Sequence, residues 1–209
     1  MTCRALGIAL RAGALWLALL APAAALAQPA TTPPLRGAEL LATLRAGGHI
    51  LYLRHADTDH GQNDQRMTSV EDCTTQRNLS ARGRDRARAV GEAIRALRIP
   101  IGAVIASPLC RTVETAAAQK SAAVREGGPL PPGSPGRFPA LRALLSTPVA
   151  PGTNTVVVGH GYPYYTLVGG QYLSEGEADV VRPRGADFEV LARVDLDQWR
   201  ALAAVPAGR

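Results

Sequence analysis

Lysine is almost absent from this 209-residue chain: Lys120 is the only one, and every other basic residue is an arginine. Arginine's planar fork grips phosphate oxygens two at a time, whereas lysine offers a point charge. A general bias toward Arg and Ala accounts for the same composition, so charge alone decides little. Aromatic residues are few, at 4%, and no run of Lys or Arg occurs. Both absences argue against a nucleic-acid-binding surface. Past the N-terminal stretch no segment is apolar enough to span a bilayer. There is no internal repeat and no composition shift that marks a second domain.

The first 27 residues have the layout of a secretory signal peptide. Arg4 and Arg11 precede an apolar stretch that closes in Ala25-Leu26-Ala27, with small residues at −3 and −1 of a cleavage point before Gln28. An uncleaved anchor is the alternative, disfavoured because the apolar run is shorter than the ~20 residues a spanning helix needs. The sequence therefore divides into a signal peptide (1–27), a flexible leader (28–35, containing "QPATTPP") and one domain (36–209). Export implies a periplasmic or secreted protein. Removing Arg4 and Arg11 from the 23 basic residues leaves 21 against 17 acidic ones, a formal net charge of +4. Cys3 leaves with the signal. Cys73 and Cys110 remain, an even pair that in an exported chain suggests a disulfide, with two free buried thiols as the other reading.

Along the domain, "GAELLATLRA" (37–46) reads as a short amphipathic helix ended by Gly47-Gly48. "HILYL" then reads as a strand buried on both faces. A polar segment, 54–78, lacks periodicity and is long enough to suggest function. Ser80 is a candidate N-cap for a helix that puts Ala87, Val90, Ile94 and Leu97 on one face before Pro100. "AVIAS" (103–107) is a second buried strand, followed by a helical pattern through "RTVETAAAQKSAAV" (111–124). A Pro- and Gly-rich loop (126–139) leads to a short helix near Leu141 and Leu145. "TVVVG" (155–159) is a third buried strand and "DFEVLARV" (187–194) an edge strand, and a final helix carries Trp199 and Leu202. Strands alternating with helices predict an α/β fold, a mostly parallel central sheet with helices on both faces.

Each buried strand ends in a polar cluster: Arg54-His55, then Ser107 to Arg111, then His160. Parallel neighbours would bring these to one sheet edge, where ligands of open α/β sheets bind. Two guanidinium forks there suit the non-bridging oxygens of a phosphoryl group. A neutral imidazole can attack phosphorus, and the neighbouring arginines lower the histidine pKa until a bound phosphate raises it again. No metal or cofactor is needed for this chemistry.

"LRHADT", a long loop, "SPLCRTVETA" and "VVVGHG", in that order and at these distances, resemble the histidine phosphatase superfamily, also called phosphoglycerate mutase-like. The resemblance covers about residues 36–199. It implies that His55 accepts the phosphoryl group, that Arg54, Arg111 and His160 complete the pocket, and that Thr58 lines it. Glu114 fits the family's "RTxET" pattern and reads as support for an arginine. His49 and His60 have no role. Three departures stand out. Ala56 replaces the family's usual glycine, and the asparagine often found in the first loop falls on Gly61, with Asn63 two places late. Between Arg111 and His160 there is no good match for the glutamate that protonates the leaving oxygen, since "FPALRALLS" holds no carboxylate. The remaining candidates are Asp57, Asp59, Glu175 and Glu177, of which Glu177 is taken as the donor because some relatives draw their acid from just beyond the second histidine. Arg77 is a third cation for substrate or a loop salt bridge, and a Cys73–Cys110 bond would pin that loop beside Arg111.

The resulting expectation is an exported, metal-independent phosphatase acting through a phosphohistidine at His55 on a small phosphorylated substrate. The resemblance extends to secreted phosphatases of lipopolysaccharide heptose phosphates, which implies an envelope sugar phosphate. A phosphate-binding module without turnover and a phosphohistidine-protein phosphatase are the competing classes.

Overall fold

The computed structural model describes residues 34–119, 124–126 and 138–204. The signal peptide, residues 28–33 of the leader and most of the Pro- and Gly-rich loop lie outside them. In chain order the elements are α1 (Gly37–Ala46), β1 (Ile50–Arg54), a single 3-10 turn (Cys73–Thr75), α2 (Ala81–Ala96), β2 (Ile101–Ala106), α3 (Cys110–Ala118) and β3 (Val124–Glu126). After these come α4 (Pro139–Ser146), β4 (Asn154–Gly159), α5 (Gly161–Val168), β5 (Ala178–Arg184), β6 (Asp187–Val194) and α6 (Leu196–Ala204).

The continuous apolar runs form strands covered on both sides. Leu51 and Leu53 of β1, Val104 of β2 and Val156 and Val158 of β4 face α1, α2, α3 and α6. Ile50, Tyr52, Val157 and Val181 face α4 and α5 on the opposite side. Burying each such aliphatic side chain contributes about 1.5–3 kcal/mol relative to exposure. The α2 stripe is as its period demands: Ala87, Val90 and Ile94 are buried, and the Ser80 hydroxyl caps the helix by accepting from Gly83 N at 3.0 Å, worth about 1 kcal/mol.

The sheet runs β3-β2-β4-β1-β5-β6. It is mixed: the β2–β3, β2–β4 and β1–β4 ladders are parallel, but β1–β5 and β5–β6 are antiparallel. The expectation of a mostly parallel sheet therefore holds for one half only. Residues 178–184 carry Pro183 and gave no strand signal, yet they pair with β6 across a tight turn at Gly185, φ +67°. An antiparallel partner can be reached by such a turn, whereas a parallel one requires a crossover. A second correction concerns the helix expected through residue 124. It stops at Ala118, and Val124 instead opens β3 against Val104.

Candidate active site

Register alone brings the strand ends together. Arg54 of β1 is opposite Gly159 of β4, and the ladder continues one step, with His55 N donating to Gly159 O at 3.1 Å. His55 and His160 thus leave adjacent parallel strands side by side, their ring centroids 5.5 Å apart at 62°. Ser107 N donates to Val158 O at 3.0 Å, which sets the Ser107 hydroxyl 2.9 Å from His160 Nε2. Gly159 is required where it stands: a Cβ there would come within 2.2 Å of the Tyr52 hydroxyl oxygen, which donates to His160 O at 2.9 Å and fixes the turn.

His55 is buried and donates from Nδ1 to Ala56 O at 3.0 Å, which leaves the Nε2 lone pair available. Its pKa is lowered to about 4, chiefly by burial and further by the charges of Arg111 and Arg54, against the opposing pull of Ala56 O and Glu175. His160 is lowered to about 3 by burial, then by Arg111 and His55. Both rings are therefore neutral at ordinary pH.

Arg54 donates from Nη1 to Leu173 O at 2.7 Å and from Nη2 to Glu175 Oε1 at 3.2 Å. Arg111, at the start of α3, donates from Nη1 to Asp64 Oδ1 at 3.2 Å and to Arg77 O at 3.3 Å. Asp64 also accepts from Arg77 N at 2.8 Å. The Nε atoms of Arg54, Arg77 and Arg111 are all buried without a partner. Buried guanidinium donors are costly to leave unpaired, so three in one neighbourhood describe a cradle for an anion. Thr115 ties the first two clusters together, accepting from Ala56 N at 3.1 Å and donating to Arg111 O at 2.7 Å.

The fourth side is the segment between α5 and β5. Gly176 N donates to His55 O at 3.0 Å. Glu175 accepts from Thr58 N and from Thr58 Oγ1, both at 2.9 Å. Burial alone would raise the Glu175 pKa, but the two Thr58 bonds and the charge of Arg54 hold it below the usual carboxylate range. A groove of about 820 Å³ opens behind residues 59–79, lined by Asp59, Leu79, Val113 and the Cys73–Cys110 pair, and it touches neither histidine.

The family model for the histidine phosphatase superfamily (branch 1) matches residues 50–126, which carry "LRHADT" and "SPLCRTVET". His160, beyond that stretch, arrives at the same edge through the β1–β4 ladder. Residues 50–126 are similar to the histidine phosphatase superfamily. Among solved structures, the SixA protein of Agrobacterium tumefaciens shares 14% identity at a TM-score of 0.50, over 70% of this chain and 97% of that one. This likeness concerns the fold. The protein histidine phosphatase SixA complexed with tungstate shares 19% identity (TM-score 0.49; 71% and 97% covered). A mycobacterial glucosyl-3-phosphoglycerate phosphatase shares 16% identity (TM-score 0.47; 69% and 97% covered). No curated protein matches the chain by sequence.

In the structure Arg54, His55, Thr58, Arg77, Arg111 and His160, all named from the sequence, converge. Glu177 does not join them. Its Oε2 accepts from Ser174 N at 2.7 Å, and it lines a separate cavity with Arg193 and Gln171. Gly176, at φ +83°, turns the chain between the two glutamates, so that Glu175 takes the pocket side. Asp57 is turned away to Arg86 at 3.2 Å, and Asp59 Oδ1 accepts from Gly61 N. Glu114 holds an arginine as expected, Arg84 at 2.6 Å. Asn63 caps its own turn at Gln65 N, and the neighbouring Asp64, which the sequence did not single out, reaches Arg111. Cys73 and Cys110 are joined, their Cα atoms 5.7 Å apart. Gln76 Oε1 accepts from Cys110 N beside that bond.

Proposed function

We propose that this chain is an exported phosphatase that hydrolyses small phosphomonoesters through a phosphohistidine on His55, without a metal. The observation that carries the reading is the set of three unpartnered, buried Nε–H donors beside a neutral imidazole. The ester's non-bridging oxygens take those donors. The His55 Nε2 lone pair attacks phosphorus, the P–O bond to the alcohol breaks, and the bridging oxygen leaves with the bonding pair. Water then attacks the phosphohistidine, the P–N bond breaks, and orthophosphate departs. The positive charge of Arg54 and Arg111 offsets the charge that develops on the phosphoryl oxygens.

Glu175, rather than Glu177, is the carboxyl at hand for the departing oxygen. It is ionised in the empty pocket, and an arriving dianion raises its pKa by like-charge repulsion so that it enters the reaction protonated. Alkyl leaving groups need that proton more than aryl ones. Glu175→Gln is therefore expected to slow alkyl phosphates far more than p-nitrophenyl phosphate; equal slowing of both would remove it as donor. The signal-like N terminus and the disulfide support export, and N-terminal sequencing of the secreted protein should start at Gln28. An envelope sugar phosphate is the substrate class we favour.

Steady phosphate release from p-nitrophenyl phosphate in EDTA, abolished in His55→Ala, is the expected result. Tight orthophosphate binding with no release from any ester would make the chain a binding module, and release from phosphohistidine peptides alone would make it a protein phosphatase.

A further inference from the structure

Among the described residues only four large hydrophobic side chains are exposed, and three are tyrosines of one stretch: Tyr162 at 58%, Tyr165 at 42% and Tyr172 at 42%. The chain has five tyrosines in all. The other two, Tyr52 and Tyr164, stack within the core at 4.1 Å. An aromatic-poor protein that concentrates its exposed rings at one place is presenting a surface with a use.

That place adjoins the phosphate cradle. Gly161 follows His160 directly and opens α5, and a Cβ on it would lie 2.4 Å from Tyr172 Cε1. The hydroxyl end of the Tyr172 ring thus packs closely against the backbone next to His160. Its other neighbour is Arg54, whose Cζ sits 5.3 Å from the ring centroid, a cation–π contact that orders both groups. Tyr165 extends the surface, its centroid 5.4 Å from that of Tyr172, and Tyr162, three residues earlier, shares the same helix face. Asp64 and Arg77, beside Arg111, are charged. Whatever is esterified to a phosphoryl group at His55 therefore meets charged groups and an aromatic surface.

We infer that Tyr172, continued by Tyr165 and Tyr162, is a stacking platform that selects phosphomonoesters whose alcohol carries a ring with an apolar face over open-chain alcohols. The inference rests on the phosphatase reading for the placement of the phosphoryl group. A pyranose and an aryl group both present such a face, and stacking on tyrosine needs no matching hydrogen bond.

The test compares kcat/KM within two matched pairs, glucose 6-phosphate against glucitol 6-phosphate, and benzyl phosphate against hexyl phosphate. Each pair releases a primary alcohol, so the chemical step is alike and the ring is the variable. The ring member is expected to be favoured by roughly three- to tenfold, the size of one good aromatic contact. Preference in the sugar pair alone identifies a pyranose, and preference in the benzyl pair alone an aryl group. Tyr172→Leu and Tyr162→Ala should each pull the ratio toward one, and Val190→Ser, at the remaining exposed hydrophobic, should leave it in place. A wild-type ratio near one, or a ratio that survives both tyrosine substitutions, overturns the platform. If no ester is cleaved, the phosphatase reading falls separately. Calorimetric binding of the same pairs to the uncleaving protein then reads the platform directly, a ring-to-chain affinity ratio near one overturning it and a ratio above three upholding it.

Discussion

Arg54, His55 and His160 leave neighbouring parallel strands whose ladder reaches the histidine itself, whereas Arg111 meets its partners on a loop of some twenty residues that holds one short 3-10 turn. On the strand side, position follows from register: once Ile50 is paired with Thr155, the two histidines can only be adjacent. On the loop side nothing periodic fixes the path between residues 59 and 79. Its geometry rests on the Thr58–Leu79 bridge, the Cys73–Cys110 bond and the Asp64 carboxylate shared between Arg77 N and Arg111. The strand side supplies the reacting atom with a rigid mount. The loop side supplies charge, and it does so through links that solvent conditions can break.

That contrast can be pressed from its strongest point downward. Replacing His55 by Ala removes the reacting atom, and steady phosphate release should fall by about 10⁴-fold or more, as for other nucleophile deletions. Arg111→Ala, on the loop side, should cost roughly 10²–10³-fold in kcat/KM through lost charge stabilisation, read from initial rates across substrate concentration. Cys73→Ser should leave the strand-side chemistry in place. It is expected to lower unfolding free energy by about 2–4 kcal/mol in urea titrations and to raise KM by roughly tenfold, the order of one lost charge-assisted bond. A kcat effect as large as that of Arg111→Ala would show that the two sides are not separable. Asp64→Asn keeps the Arg77 N–H bond and weakens only the ion pair, so KM should move by about two- to fivefold.

Acidity probes the strand side through its two histidines. His55 titrates near pH 4 and His160 near pH 3 in the folded chain, both below the ordinary value of 6.5, with burial the leading cause. The unfolded chain therefore binds more protons below pH 6.5, so stability is fully present above that value and falls as pH drops through the two folded pKa values. Thermal midpoints should decline from pH 6.5 toward pH 3. The acid limb of kcat/KM for the free enzyme should lie near pH 4, and a limb near 6.5 would mean that water reaches His55 and removes the effect of burial.

What the sequence made readable follows the same division. "HILYL" and "TVVVG" are apolar on both faces and too short for helices, and their polar termini named Arg54, His55 and His160 directly. Residues 178–184 escaped because Pro183 sits in a run that pairs on one side with β1 and on the other with β6; only the hairpin geometry makes that proline tolerable, at the end of the strand. Asp64 escaped because its part depends on where a loop without period comes to rest. The choice between Glu175 and Glu177 turned on one backbone angle, the positive φ of Gly176. No residue-spacing rule reports which of two carboxylates beside a glycine faces inward.

The β1–β4 ladder joins residues 105 positions apart, Ile50 with Thr155, and the pocket it creates also needs Glu175 and Gly176. Contacts so distant along the chain form only after most of the loop-closure entropy has been overcome. The cradle is therefore expected to close only when the last third of the polypeptide docks, and regain of activity on refolding should coincide with the slowest structural phase instead of preceding it.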